Sequence, residues 1–97
     1  MNFEWDEAKN RINVRKHGID FADAEKMFRG VVVAEPDTRE DYAENRWVGL
    51  GLIRDRTMQV VLAECGLDAV RVISLRKATR RETEQYQKAI ENRLEEG

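Results

Sequence analysis

Two stretches of the chain carry apolar residues on both alternating faces: Met58-Gln59-Val60-Val61-Leu62-Ala63 and Val70-Arg71-Val72-Ile73. Strands patterned this way are covered on both sides, so they predict the centre of a sheet, within strands at Met58–Cys65 and Ala69–Leu75. Arg46–Ile53 reads as a third strand, joined to Met58 by Arg54-Asp55-Arg56-Thr57, and Gly66-Leu67-Asp68 reads as the next turn. Connections this short make antiparallel neighbours. A further strand is expected at Val31–Ala34, ahead of Pro36 and a polar loop over Asp37–Asn45.

Helical spacing governs the two ends. A short extended piece, Asn2–Trp5, leads into a helix capped by Asp6 and running to His17, where Gly18 can adopt a left-handed helix-end conformation. Trp5, Ala8 and Ile12 give it only a thin apolar stripe, so it buries little. Asp20 caps a second helix whose apolar face is Phe21, Ala24, Met27 and Phe28, ended by Gly30. Thr79 followed by Glu82 is a capping box, which starts a last helix from Arg80 to about Glu95 with Tyr86, Ile90 and Leu94 on one face. The order α-α-β-β-β-β-α predicts a single α+β domain over residues 1–97, a four-stranded antiparallel sheet packed with helices.

Charge changes this picture more than composition does. The 97 residues are 41% hydrophobic and 37% charged, which makes a densely ionic surface, and the net charge of −2 argues against a general nucleic-acid coat protein. The distribution is uneven. Residues 8–17 hold Lys9, Arg11, Arg15, Lys16 and His17 without an acid, and 69–81 hold Arg71, Arg76, Lys77, Arg80 and Arg81 without one, whereas Asp20–Glu44 holds eight acids. The second basic group falls where a strand ends and a helix N-terminus begins, a place that favours an anion. A polyanion is the natural partner. One cysteine, Cys65, excludes an internal disulfide, and one His with one Cys excludes a zinc-type cluster. No signal peptide or membrane-spanning run is visible, so a cytoplasmic, soluble protein is expected.

The segments WDEAKNRINVRKHGIDFADA, NRW at 45–47 and RVISLRKATRRETEQY resemble, in this order and over almost the whole chain, the BrnT family of bacterial toxins. Trp5, Asp6, Lys9, Asn13, Lys16, His17 and Gly18 match its N-terminal signature. Arg71, Ile73, Ser74, Arg76, Ala78, Glu82 and Tyr86 match its C-terminal one, and Leu75 departs from a position where a small residue is usual. The resemblance implies a RelE-like fold, RNA cleavage without a cofactor, and inhibition of translation, on the ribosome or off it. It also implies neutralisation, in a hetero-oligomer, by a BrnA-type antitoxin that carries a ribbon-helix-helix DNA-binding part.

Metal-free RNA cleavage uses the ribose 2′-OH as nucleophile and leaves a 2′,3′-cyclic phosphate and a 5′-OH. It requires a group to take the 2′ proton, donors for the phosphoryl oxygens, and an acid for the leaving oxygen. Arg71, Arg76 and Arg80 are the candidate donors, because a guanidinium donates to two oxygens at once and stays charged. Histidine is the side chain whose charge ordinarily changes between pH 5 and 8, so His17 is a candidate base or acid; it is equally a helix-end residue placed against the dipole. If His17 is only a cap, proton transfer falls to Tyr86, to a carboxylate, or to positioning of the 2′-OH alone. Lys9 and Lys16 share a helical face and, with Arg46, Lys77 and Arg81, are candidate RNA contacts, although a solvated face would look the same. Trp5 is a candidate for base stacking or for packing. Two non-catalytic readings remain beside the ribonuclease: a nucleic-acid-binding module and a protein-interaction module.

Overall fold

The computed structural model describes residues 1–96. Five strands form one mixed sheet: β1 (Asn2–Glu4), β2 (Val33–Pro36), β3 (Arg46–Ile53), β4 (Arg56–Glu64) and β5 (Ala69–Lys77), in the order β1-β5-β4-β3-β2. The helices are α1 (Glu7–His17), the short α2 (Ala24–Met27), entered through a 3-10 turn at Phe21–Asp23, and α3 (Arg80–Glu96). The four-stranded antiparallel, RelE-like sheet expected from the sequence is therefore a five-stranded one. The extra strand is the extended N-terminal piece, which pairs parallel to β5 from Asn2 against Ala69 to Glu4 against Arg71. β2 also lies two residues later than expected, at the free edge of the sheet, where Pro36 needs no strand partner for its missing N–H.

One face of the sheet is the core. Met58, Val60 and Leu62 of β4 and Val72 and Leu75 of β5 meet Ile19, Phe21, Ala24 and Met27, with Val60, Leu75, Ala24 and Met27 at 0% exposure. The second helix is shorter than predicted, yet its expected apolar face is the one that packs. Gly51 fits under it because a Cβ there would sit 3.3 Å from Met27 Cε and from Val32.

α1 is seated differently from the expectation. Ile12 is 57% exposed, and the buried residues are Asn10 and Asn13. β1 ends its pairing at Arg71, so the next part of β5 has no strand on that side. Asn13 stands in for one: its Nδ2 donates to Leu75 O at 2.8 Å and to Ile19 O at 3.0 Å, and its Oδ1 accepts from Leu75 N at 3.4 Å. Asn10 does the same for the following turn, accepting from Phe21 N at 2.9 Å and donating to Asp20 at 3.0 Å. Buried amide groups are thus paired where an aliphatic helix face would leave them orphaned. The caps are as read from the sequence: Asp6 accepts from Lys9 N, and Gly18 sits at φ 71°.

α3 crosses the opposite face against β3 and β4. Tyr86 anchors it, 6% exposed, with its hydroxyl donating to Val31 O at 2.8 Å. Leu94 beyond it is 75% exposed. Since α3 covers only part of that face, a portion of the sheet remains open.

Candidate active site

The open face owes its content to an irregularity in β5. Along β4, Gln59, Val61 and Ala63 share that face, and they stand opposite Arg76, Ser74 and Arg71. Arg71 and Arg76 are five apart and would point to opposite sides of a regular strand. Between them the register shifts, Leu62 facing Val72 and Val61 facing Ser74, so Ile73 is an extra residue in β5. This bulge brings both arginines to one face while Val72 and Leu75, three apart, both enter the core. On β3, Arg46 also faces Ala63, so Arg46, Ala63 and Arg71 form a row across three strands. Arg71 and Arg76 stand about 13 Å apart along the sheet.

Each guanidinium is held by a carboxylate, in a distinct way. Arg71 donates from Nε and Nη2 to Glu4 Oε1 at 3.3 and 3.1 Å, and the Cys65 thiol donates to the same oxygen at 2.9 Å. These two donors, Cys65 first, hold the Glu4 carboxyl below its ordinary range; Glu4 in turn pushes the thiol up, which makes Cys65 a poor nucleophile. Arg46 donates to Glu44 at 2.9 Å and lies 4.0 Å over the Tyr42 ring. Arg80, 95% exposed, pairs weakly with Glu84 at 3.5 Å.

Arg76 is the most constrained. Nη1 donates to Lys77 O at 3.1 Å and to Glu82 Oε1 at 2.9 Å, and Nη2 donates to Glu82 Oε2 at 3.0 Å. Gln59 Nε2 donates to Glu82 Oε2 at 2.7 Å and Thr79 N to Oε1 at 2.8 Å, while Thr79 Oγ1 accepts from Glu82 N at 3.1 Å. All four acceptor positions of Glu82 are filled, and its carboxyl is held below the ordinary range, chiefly by Arg76. A guanidinium has five N–H donors. Three are used at the end of Arg76, and the two left, on Nε and on the adjacent side of Nη2, form a side-on fork of the shape that takes a phosphate in two parallel bonds. The capping box visible in the sequence therefore does two things: it starts α3 and orients Arg76.

The cluster of five cations expected at the strand–helix junction is not one cluster. Arg71 lies at the far end of β5, Arg80 and Arg81 are exposed on α3, and Lys77 lines a separate cleft with Arg56, between α3 and the β3–β4 hairpin. Tyr86 is committed to the Val31 carbonyl. His17, Lys9 and Lys16 sit on α1 at the edge of β5, and among the described residues no hydrogen bond joins them to Arg71, Arg76 or Arg80. Trp5 packs on the core, its Nε1 donating to Glu7 at 2.7 Å. Sequence reasoning passed over Gln59, although a lone glutamine inside an apolar strand was a signal for it.

The family model described as "Ribonuclease toxin, BrnT, of type II toxin-antitoxin system" matches residues 5–82. Among solved structures, the ribonuclease toxin BrnT of Brucella abortus superposes with a TM-score of 0.62 at 31% identity, over 82% of this chain and 99% of that one. No curated protein sequence matches. The chain belongs to the BrnT family of ribonuclease toxins of type II toxin–antitoxin systems. Membership implies an antitoxin as partner.

Proposed function

We propose that the protein is an endoribonuclease that holds the scissile phosphodiester on the open face of the sheet, in the free fork of Arg76. The 2′-OH attacks the adjacent phosphorus and gives its proton to solvent water, the P–O5′ bond breaks, and the 5′ oxygen takes a proton from water, so the products are a 2′,3′-cyclic phosphate and a new 5′-OH end. Arg76 contributes by donating to the phosphoryl oxygens as charge builds on them, and its rigid mounting means that little reorganisation accompanies the reaction. Arg71 and Arg46 lie along the same face and supply positive charge for flanking phosphates. Glu82 orients Arg76 and is no proton acceptor, since its lone pairs are occupied. The chemistry needs no metal, because guanidinium groups meet the charge.

The observation that carries this reading is the pairing of a fully engaged Glu82 with an Arg76 that keeps two of its five donors free, on a face that α3 leaves open. Family membership supports RNA as substrate. In the cell the same reading places the protein in the cytoplasm as a translation inhibitor, neutralised by a BrnA-type antitoxin with a ribbon-helix-helix part. The test is purified protein with RNA in EDTA, followed by mapping of the ends. Cyclic phosphate and 5′-OH ends that persist in EDTA are expected; binding without new ends would favour a nucleic-acid-binding module, and neither binding nor ends a protein-interaction module.

A further inference from the structure

Beside Arg76 the open face carries a trough. Its floor is apolar, with Val33 of β2 and Val48 and Leu50 of β3, and its walls are polar: Glu35 on one side, Glu82 and Gln85 of α3 on the other, and Gln59 between them. The cavity is about 290 Å³ and continues past Glu35, Val48 and Gln59 toward Asp37 and Arg39. The register accounts for this lining: Glu35 faces Val48, Leu50 faces Val33 and Gln59, and Gln59 faces Arg76, so one side of four strands is continuous.

The charges in and around the trough differ in what they have left to give. Glu82 is neutralised by Arg76, and Asp37 is bonded twice by Arg39, at 2.8 Å each. Glu35 has no hydrogen-bond or ion-pair partner among the described residues and is solvent-exposed. Gln59 spends its amide N–H on Glu82, which leaves its Oε1 as an acceptor. An apolar floor with free acceptors at its rim fits a flat ring that offers N–H groups, and its volume lies near the lower end of small-ligand sites, roughly 300–1,000 Å³.

Glu35 stands three strands from Arg76, about 15 Å between backbones. Two side chains so placed are too far apart to act on a single phosphodiester. They are well placed for one to hold the phosphate and the other to meet the base attached to it. We infer that the trough is a nucleobase subsite that prefers guanine, read by the Glu35 carboxylate. This rests on the proposed role of Arg76 as the phosphate holder. Guanine follows from donor geometry: its Watson–Crick edge presents N1–H and N2–H side by side, matching two carboxylate oxygens. Adenine and cytosine set one amino donor beside a ring acceptor, and uracil flanks its N3–H with two carbonyls, each of which would repel a carboxylate oxygen.

The test uses binding and cleavage separately. Fluorescein-labelled thymidine pentamers with the central base changed to each of the four have no 2′-OH, so they bind uncut; anisotropy at low salt reads their affinity. The guanine pentamer should bind about 10-fold tighter than the other three, a bidentate base contact. Glu35→Gln replaces one acceptor oxygen with a donor at an exposed site, and it should erase that difference and the guanine bias at mapped RNA cut sites. Equal affinity for the four pentamers, or a guanine bias that survives Glu35→Gln, overturns the subsite. Protein that cuts RNA without any base bias also overturns the subsite and leaves the proposed activity standing. Protein that selects the guanine pentamer but cuts no RNA overturns the activity and leaves the subsite standing.

Discussion

The two faces of one sheet are built to opposite rules. On the face toward α1 and α2, β4 and β5 present Met58, Val60, Leu62, Val72 and Leu75 to a closed apolar layer, and the polar groups at its edge are each paired by Asn10 or Asn13. On the face toward α3 the same strands present Gln59, Arg71, Ser74 and Arg76. Of these, Gln59, Arg71 and Arg76 are held in place by carboxylates yet keep donors or acceptors in reserve. The first face spends its polar groups within the fold; the second keeps some unspent, and the proposed reaction draws on these. The bulge at Ile73 is the device that lets one strand serve both, because it resets the alternation between Arg71 and Arg76.

That contrast can be broken from either side. Phe21, 1% exposed in the closed layer, should dominate stability: Phe21→Ala is expected to lower unfolding free energy by about 3–5 kcal/mol in urea titrations. A loss below 1 kcal/mol would mean that the layer is not the core. Asn13→Ala comes next. It strands the Leu75 N–H and C=O, and a cost of about 1–3 kcal/mol is expected. Hydrogen exchange at Leu75 should quicken with it, and unchanged exchange would remove Asn13 from its role as a stand-in strand. The smallest effect is confined to acid. Two guanidinium bonds from Arg39 hold the Asp37 carboxyl down from its ordinary 3.8 to about 2. A carboxyl with a lowered pKa in the fold adds stability that is present above 3.8 and lost as the pH falls through about 2. The wild type should therefore lose stability more steeply than Asp37→Asn across that window, with parallel curves counting against the pairing.

Much of the closed face was legible in the sequence, and little of the open one. Apolar residues on both faces identified β4 and β5 as central, and the Asp6 and Thr79 caps and the Gly18 helix end marked the helices, because each depends on neighbouring residues in the sequence. β1 has three residues and no period, so only its partner reveals it as a strand. Nothing local marks Asn10 and Asn13 for burial, because burying an asparagine depends on backbone groups far along the chain, 62 residues away for Leu75. The arginines misled for the reverse reason. Closeness in sequence between Arg71 and Arg81 suggested one cluster, whereas a nine-residue strand and a helix start carry them apart. Nothing in VRVISLRK marks Ile73 as the extra residue, since apolar side chains flank it on both faces.

The proposed cleavage depends on the shape of Arg76, and RNA cleavage rates of Arg76→Lys beside Arg76→Ala test that directly. Lysine keeps the charge but has no side-on fork. Loss of one aimed donor typically lowers rate on the order of 10²–10³, and both variants are expected to fall by that much with melting temperature within a few degrees of wild type. Near-normal cleavage by Arg76→Lys would show that charge alone suffices, and near-normal cleavage by Arg76→Ala would remove the open face from the reaction.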